Sequence, residues 1–245
     1  MKISNIQDLV PSSTKSNSSV ASRQDALEKF NSFNPALYAK TRNFLNGQIS
    51  RLSSHIKHGI ISNKEIYEHV RDKYAFNESE KFIQELAWRD FWRSYAYHHP
   101  DQLWTDVEEY KTGFQAHEYQ DELPEDITSA KTPTQVMNVF IDQLLTTGYL
   151  HNHSRMYLAS YIVHFRRVKW QAGAKFFLSH LLDGDIASNN FSWQWIASTF
   201  AGKPYIFNLE NVHKYCHRSI EIITEKNQEI DGSYEEISAR LFPNL

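Results

Sequence analysis

Apolar side chains recur at helical spacing through most of the chain, and no strand-like alternation of any length and no internal repeat occurs. Four helices are therefore predicted in the first part of the sequence. They cover residues 25–46 with an interruption at Pro35, Ser62 to Phe76 behind a Ser62–Glu65 capping box, Ser79 to His98 before Pro100, and Thr134 to Thr147 with Gly148 as C-terminal cap.

The second part of the chain continues the helical pattern. A helix is expected to open at His151, and the apolar stripe of Trp170, Ala174, Phe177 and Leu181 predicts another. Asp183-Gly-Asp185 then interrupts the pattern as a loop, because Gly184 lets the backbone turn and two residues two apart cannot share a helix face. A last helix is predicted from near Asn190. The fold class is therefore all-α, with one helical domain over residues 24–245.

Composition bears on the cellular compartment of the protein. The chain has 245 residues and a single cysteine, Cys216, which excludes an internal disulfide and fits a reducing, cytoplasmic location. No apolar run has the length of a membrane span, so no membrane association is expected. Residues 1–23 are Ser-rich and are interpreted as a disordered tail, with organelle targeting as the alternative.

The charges are unevenly distributed, although the formal net charge is only −3. Residues 101–129 hold nine acids and one base, Lys111, and are expected to form an irregular surface connection. Residues 151–203 hold six bases and two acids, interleaved with aromatic side chains. Two interpretations of the basic segment remain open here, a solvated helix face and a surface that faces phosphates.

The third predicted helix carries charge on its apolar face. At about 100° per residue, Glu85 and Arg89 fall on the same arc as Phe82, Trp88 and Trp92. Buried charge has to be paired or used, so this face is a candidate site. The alternative is a simple i, i+4 ion pair between Glu85 and Arg89.

Further candidate residues gather around two short stretches. Asn152, Arg155 and Met156 share one helix face, and Asp183 and Asp185 precede two amides and two tryptophans. His151 and His153 alone do not have the ligands of a metal site, so no metal is expected. The aromatic content of 14 % together with amides, arginines and carboxylates suits a cavity for a large planar cofactor with a phosphate-bearing tail.

Four ordered stretches resemble the flavin domain of the photolyase/cryptochrome family. They are Ile49-Ser-Arg-Leu-Ser53, Gln84-Glu-Leu-Ala-Trp-Arg-Asp-Phe91, Thr146-Thr-Gly-Tyr-Leu-His-Asn-His-Ser-Arg-Met156, and Asp183-Gly-Asp185 with Asn189-Asn190 and Trp193-Gln-Trp195. The resemblance covers about residues 35–208. It implies an all-helical bundle that holds FAD, and the antenna domain that usually precedes this bundle has no counterpart in the sequence.

The resemblance also implies roles for individual residues. The implied cofactor-binding residues are Tyr38, Ser50, Leu52, Ser53, Phe82, Arg89, Asn152, Arg155, Asp183, Asp185 and Asn189, of which Asn189 would face flavin N5. The implied pocket for a flipped-out pyrimidine dimer consists of Glu85, Trp88, Asn152, Met156 and Trp195. Trp193 and Trp170 match the first two members of an electron-transfer chain to the flavin, and Tyr110 stands where the outer tryptophan would be.

Departures from the family pattern refine the expected function. Phe82 replaces a Trp, Ile49 replaces a Thr, and His153 and Asp142 stand at positions that usually carry Arg. Fewer cations weaken the grip on duplex phosphates. The resemblance therefore implies light-driven repair of pyrimidine dimers by electron transfer from excited reduced FAD, with Glu85, Asn189, Trp193, Trp170 and Tyr110 as catalytic residues and single-stranded DNA as the preferred partner.

Two other functions stay open from the sequence. The first is a cryptochrome-like blue-light receptor that signals through a protein partner, for which residues 101–129 and the charged segment after Asn208 offer surfaces. The second is a helical structural protein that keeps the family's motifs without FAD.

Overall fold

The computed structural model describes residues 22–245, and within this range the chain forms twelve α-helices and no β-strand. Their bounds are α1 Arg23–Ser32, α2 Pro35–Thr41, α3 Ser53–Lys57, α4 Asn63–Lys73, α5 Phe76–His98, α6 Glu125–Thr128, α7 Gln135–Thr147, α8 Asn152–Ser160, α9 Trp170–His180, α10 Ile186–Ala197, α11 Leu209–Cys216 and α12 Tyr234–Leu241. The predicted all-α fold class is confirmed. The predicted tail falls on residues outside the described range, except that Ser22 caps α1 and Arg23 is its first residue.

Local signals in the sequence account for several helix ends. Ser62 accepts the Glu65 N–H while Glu65 accepts the Ser62 N–H, so the capping box opens α4 as predicted. Gly148 closes α7 with a φ of 65°, in the left-handed region that glycine adopts without strain. These interactions satisfy backbone groups that a helix end leaves without intrahelical partners.

Several predicted boundaries differ from the structure. The stretch expected to be helical over residues 25–46 ends at Thr41, and Pro35 is the first residue of α2. The helix expected from Ser79 begins at Phe76, and the one expected to reach Phe76 ends at Lys73. The last helix of the site begins at Ile186 rather than near Asn190, because the Asp185 carboxylate accepts the Ser188 N–H and so caps α10. Part of the predicted Asp183–Asp185 loop therefore belongs to a helix start.

Helix α5 lies at the centre of the arrangement and packs against α2, α4 and α10. Helix α10 in turn packs against α9 and α8. Two apolar clusters flank this central layer. One contains Phe140, Tyr157 and Trp170 and the other contains Phe30 and Phe82. Within residues 22–245 no helix has the length and apolar character needed to cross a bilayer.

The acidic connection is irregular, as predicted, but it is not a free surface. Its carboxylates pair with the basic segment, Asp126 with Arg166 at 2.8 Å and Asp121 with Lys169 at 2.6 Å. Arg167 lies 3.3 Å over the centre of the Phe114 ring. These three bases thus have protein partners, and both interpretations of the basic segment stay open.

Candidate flavin and substrate site

The loop between α9 and α10 presents two buried aspartates, each paired with an arginine from another helix. Asp183 is 7 % exposed and accepts two hydrogen bonds from Arg155 of α8, at 2.9 and 3.0 Å. Burial raises the pKa of Asp183, but the Arg155 charge and hydrogen bonds, with the Ser53 hydroxyl, outweigh it, so the pKa lies below its usual value. Asp183 is therefore held as a carboxylate beside Arg155.

Asp185 has two tasks at the same place. One oxygen caps α10, while the other accepts a 2.9 Å hydrogen bond from Arg93 of α5. Burial raises the pKa of Asp185, but the hydrogen bonds from Ser188 and Arg93 lower it by more. The pKa of Asp185 therefore lies below its usual value. Arg93 was not among the residues identified from the sequence. It stands one helical turn after Arg89 on α5, a spacing that could have pointed to it.

Arg89 is a buried cation with capacity left for a ligand. Its side chain is 15 % exposed and lies 3.9 Å from Asp185, outside hydrogen-bond distance. Among the described residues, its Nη1 has no hydrogen-bond partner. Burial lowers the pKa of Arg89, with Asp185 opposing this shift. An unpaired buried donor is costly, so this position suits an anionic group.

Glu85 lies one turn before Arg89 but does not pair with it, so the i, i+4 alternative is wrong. Glu85 instead accepts from Arg42 at 3.1 Å and pairs with Lys81 at 2.8 Å. The physical reason is that Arg89 lies toward the aspartate loop while Glu85 lies toward the chain just after α2. Arg42 was missed by sequence analysis, because a partner 43 residues away leaves no local spacing signal.

The remaining predicted cofactor contacts fall into two groups. Tyr38 and Phe82 meet edge to face with ring centroids 5.4 Å apart, and burial raises the pKa of Tyr38 to about 12. Leu52 is fully buried in the same cluster and stands at the start of α3, whereas Ser50 and Ser53 on either side of it are partly exposed. The hydroxyl-rich loop thus has an apolar anchor, and its roles toward a cofactor stay predictions.

The predicted substrate residues lie at or near the surface. Trp88 on α5 is 48 % exposed and Trp195 on α10 is 43 % exposed. On α8, the exposed Asn152 donates toward the Met156 sulfur at 3.7 Å. That these residues form one pocket for a pyrimidine dimer stays a prediction.

Asn189 is fixed by its neighbours. Its side-chain amide donates to the Ala174 carbonyl at 3.1 Å and to the Asn190 side chain at 2.9 Å. Both donor positions of the amide nitrogen are thus committed within the protein. Asn190 has a structural role, because it is fully buried and donates to the Leu103 carbonyl at 2.6 Å.

The three predicted electron-transfer residues are all buried. Trp193 is 2 % exposed and packs against Phe177 of α9, with ring centroids 4.9 Å apart. Trp170 is fully buried. Tyr110 is 8 % exposed and stacks on Tyr119 with ring centroids 4.3 Å apart.

The two histidines considered for a metal have protein partners. His151 caps α8 by accepting the His153 N–H on Nδ1 at 3.1 Å. The buried His153 bonds through Nδ1 to the Asn43 carbonyl at 2.7 Å and stacks on Tyr157. Both imidazoles thus take part in helix capping and packing.

Residues 82–228 match the family described as the FAD binding domain of DNA photolyase. The chain belongs to this family. Three of the four motifs, from Gln84 to Trp195, lie within this match, and the prediction of FAD as the cofactor is confirmed.

Two curated relatives of this photolyase-type domain carry the same name. The deoxyribodipyrimidine photo-lyase of Streptomyces griseus is 35% identical over 150 residues, which is 61% of this chain and 32% of that protein. The protein of the same name from Neurospora crassa is 32% identical over 201 residues, 74% of this chain and 31% of that protein. The chain therefore spans about a third of the length of these relatives.

Solved structures show the same fold. A class III photolyase from Agrobacterium tumefaciens aligns with a TM-score of 0.68 and 26% identity, over 91% of this chain and 45% of that one. A photolyase from Sulfolobus tokodaii, crystallised with two FAD molecules, aligns with a TM-score of 0.66 and 27% identity, over 79% and 44%. A Synechocystis cryptochrome at 23% identity and a TM-score of 0.69, over 79% and 43%, shares the fold.

The residues present fit FAD in this photolyase-type domain. Arg89 offers a buried cationic donor without a partner among the described residues, and the neighbouring carboxylates of Asp183 and Asp185 supply acceptors for a polar ring edge. Such a donor set suits a cofactor that carries both phosphates and a hydrogen-bonding ring system.

Proposed function

We propose that this protein splits pyrimidine dimers in DNA in a light-driven, FAD-dependent reaction and prefers single-stranded DNA. One observation carries the proposal. Glu85, Trp88 and Arg89 occupy little more than one turn of α5, where Arg89 is buried against the aspartate loop and Trp88 is 48 % exposed. A cofactor position and a surface for a flat substrate are thereby adjacent on one rigid helix.

The chain's own residues would divide the work as follows. Bound FAD in its reduced, excited form would supply one electron to the dimer and take it back once the dimer has split. Arg89 holds the anionic part of the cofactor, and Asp183 and Asp185 accept hydrogen bonds from its ring. Glu85 accepts a hydrogen bond from the polar edge of the dimer and holds it in position. Trp88 and Trp195 stack on the flipped bases. Stacking is possible with any base, because every base has a flat aromatic face.

The preference for single strands rests on the charges of the basic segment and on His153. Asp126 and Asp121 pair with Arg166 and Lys169, so these cations are already compensated. His153 is 7 % exposed and burial lowers its pKa, so it is neutral where the family pattern has an arginine. Few cations remain for duplex phosphates, while a single strand is bent and flipped at lower cost.

Illumination of the purified protein tests the proposal. A dimer-containing oligonucleotide, single-stranded or in a duplex, is exposed to blue light with the chemically reduced protein, and the products are separated by chromatography. We expect light to restore the two undamaged pyrimidines, and the rate of repair to be higher on the single strand. Colourless protein, or a FAD-loaded protein that leaves the dimer intact in both substrates, would reject the repair function.

A further inference from the structure

The stretch from Gln102 to Asp106 is fastened to the helices that carry the predicted electron-transfer residues. The backbone carbonyls of this stretch accept from buried or half-buried amide side chains: Gln102 from Gln194 at 2.8 Å, Leu103 from Asn190 at 2.6 Å and Trp104 from Gln171 at 3.4 Å. Because the donors lie on α9 and α10, Trp104 has a defined position relative to both helices.

Trp104 lies parallel to Trp170. Their ring centroids are 6.3 Å apart and their planes differ by 4°. Trp170 is fully buried, whereas Trp104 is partly exposed and packs at the edge of the same core. Electron transfer between aromatic rings weakens steeply with the gap between them, so a parallel pair at this distance is well coupled. Trp104 thus links the buried Trp170 to the surface.

Asp106, two residues after Trp104, favours positive charge on Trp170. The Trp170 indole N–H donates to the Asp106 carboxylate at 2.6 Å, and Gln171 donates to the same oxygen at 3.1 Å. A carboxylate in hydrogen-bond contact stabilises an oxidised indole electrostatically, since the surroundings are largely dry. Trp170 is therefore suited to a central place in the chain.

Tyr110, the residue that the family pattern places at the outer end, is poorly suited to be oxidised. It is 8 % exposed, and among residues 22–245 no group accepts a hydrogen bond from its hydroxyl group. A tyrosine that loses an electron near neutral pH must also release its hydroxyl proton, and here no side chain or solvent takes it up. Burial also raises the pKa of Tyr110, which opposes proton release.

We infer that Trp104, rather than Tyr110, is the outer electron donor to Trp170. The inference rests on the proposed flavin photochemistry but not on DNA repair. One electron passes from Trp193 to the photoexcited flavin, one from Trp170 to Trp193, and one from Trp104 to Trp170. The oxidised Trp104 then releases its indole proton to water, and a soluble thiol returns one electron and one proton to it.

Lys175 supports the release of that proton. Its ammonium group lies 5.7 Å from the centre of the Trp104 ring. A nearby cation disfavours a positively charged indole and favours the neutral radical left after proton loss. Before deprotonation the Asp106 carboxylate favours the hole on Trp170, so it is the loss of the indole proton that keeps the hole at Trp104, the partly exposed end of the chain.

The test compares the FAD-loaded wild type with Trp104→Phe and Tyr110→Phe after a laser flash, with the flavin initially oxidised. We expect Trp104→Phe to lower the yield of long-lived flavin reduction about tenfold or more, because the hole returns from Trp170. Tyr110→Phe is expected to keep both the yield and the spectrum of a deprotonated tryptophan radical. The inference would be overturned if the yield of long-lived flavin reduction fell in Tyr110→Phe alone, in both variants or in neither.

Two further measurements keep the result interpretable. FAD content and the thermal midpoint show whether Trp104→Phe is folded, and Trp104→Tyr, which keeps a redox-active ring, should replace the tryptophan radical spectrum with that of a tyrosyl radical. An unchanged radical spectrum in Trp104→Tyr would contradict the assignment. A protein that photoreduces through Trp104 yet repairs no dimer supports this inference and rejects the proposed function, whereas a flavin-free protein rejects both.

Discussion

Trp193 of α10 packs directly onto Gly173 of α9, so that a Cβ atom at position 173 would overlap the indole ring. Gly173 lies three residues after Trp170 and therefore on the same face of α9. The missing side chain brings the Trp193 ring onto the backbone of the helix that carries Trp170. This close approach gives the electron-transfer pair a defined geometry.

Gly173→Ala should therefore displace Trp193. We expect a loss of about 1–3 kcal/mol in the free energy of unfolding, the range for overpacking a core, even though alanine is the better helix former. The displaced ring should also slow flavin photoreduction. Chemical denaturation and continuous illumination measure the two effects.

Gly202→Ala provides the matched control for this change. A Cβ at Gly202 meets no heavy atom within 4 Å, so its effect should stay within about 0.5 kcal/mol. A Gly173→Ala protein as stable as this control, with unchanged photoreduction, would show that the close approach of Trp193 has no consequence.

Asp183→Asn should cost stability and cofactor. The change leaves the Arg155 guanidinium without its carboxylate in a largely buried position, for which about 3 kcal/mol is a typical penalty. We expect weaker FAD retention, measured from the absorbance of the purified protein. Asp126→Asn breaks the Arg166 pair away from the site and should leave FAD content unchanged.

The effect of Asp183→Asn should depend on pH. The pKa of Asp183 in the folded protein lies below the ordinary value of 3.8, so the carboxylate contributes stability above that value. This contribution is lost as the pH falls through the folded-state pKa. The difference in unfolding free energy between wild type and variant should therefore shrink below about pH 4, and a constant difference would argue against the ion pair.

Asp185 allows its two tasks to be separated. Asp185→Asn keeps an oxygen that can cap α10 but removes the charge beside Arg93, whereas Asp185→Ala removes both. We expect the alanine variant to be less stable than the asparagine variant by about 1 kcal/mol, the usual value of an N-cap. Equal denaturation midpoints would mean that the cap contributes nothing measurable.

The extent to which sequence predicted this structure depends on the range of each interaction. The Ser62–Glu65 box and the Gly148 cap were predictable, because their partners are within three or four residues. The start of α10 was not, since an aspartate before a helix can serve as cap or as site residue, and Asp185 does both.

Long-range partners explain the remaining differences. Arg93 and Asp185 are 92 residues apart, and only the packing of α5 on α10 brings them together. The alternative ion pair of Glu85 with Arg89 is absent, because Glu85 pairs with Lys81 and Arg42 while Arg89 lies toward Asp185. Family motifs identified which residues cluster, whereas periodicity alone identified only which face they share.

Glu85→Gln should separate substrate chemistry from folding. The Arg42–Glu85 and Lys81–Glu85 pairs are about one-third exposed, so their loss should cost less than about 1 kcal/mol. Repair of the dimer under saturating light should nevertheless fall about tenfold, because the neutral amide oxygen replaces a charged acceptor at the dimer. Glu80→Gln, on the exposed part of the same helix, is the control and should repair at the wild-type rate.

His164 should make the protein sensitive to mild acid. It is 2 % exposed, donates Nε2–H to the Ile196 carbonyl at 2.9 Å, and its pKa is lowered to about 4 by burial, with the Ile196 bond opposing this shift. The folded protein therefore keeps His164 neutral between pH 6.5 and about 4, while the unfolded chain binds a proton there. Stability should accordingly fall across this window as the pH decreases, by roughly 3 kcal/mol at most from this one group.

In His164→Gln, which retains a side-chain N–H for the carbonyl, the free energy of unfolding measured in urea should decline less from pH 7 to pH 4.5 than in the wild type. Parallel declines in the two proteins would mean that His164 titrates alike in the folded and unfolded states.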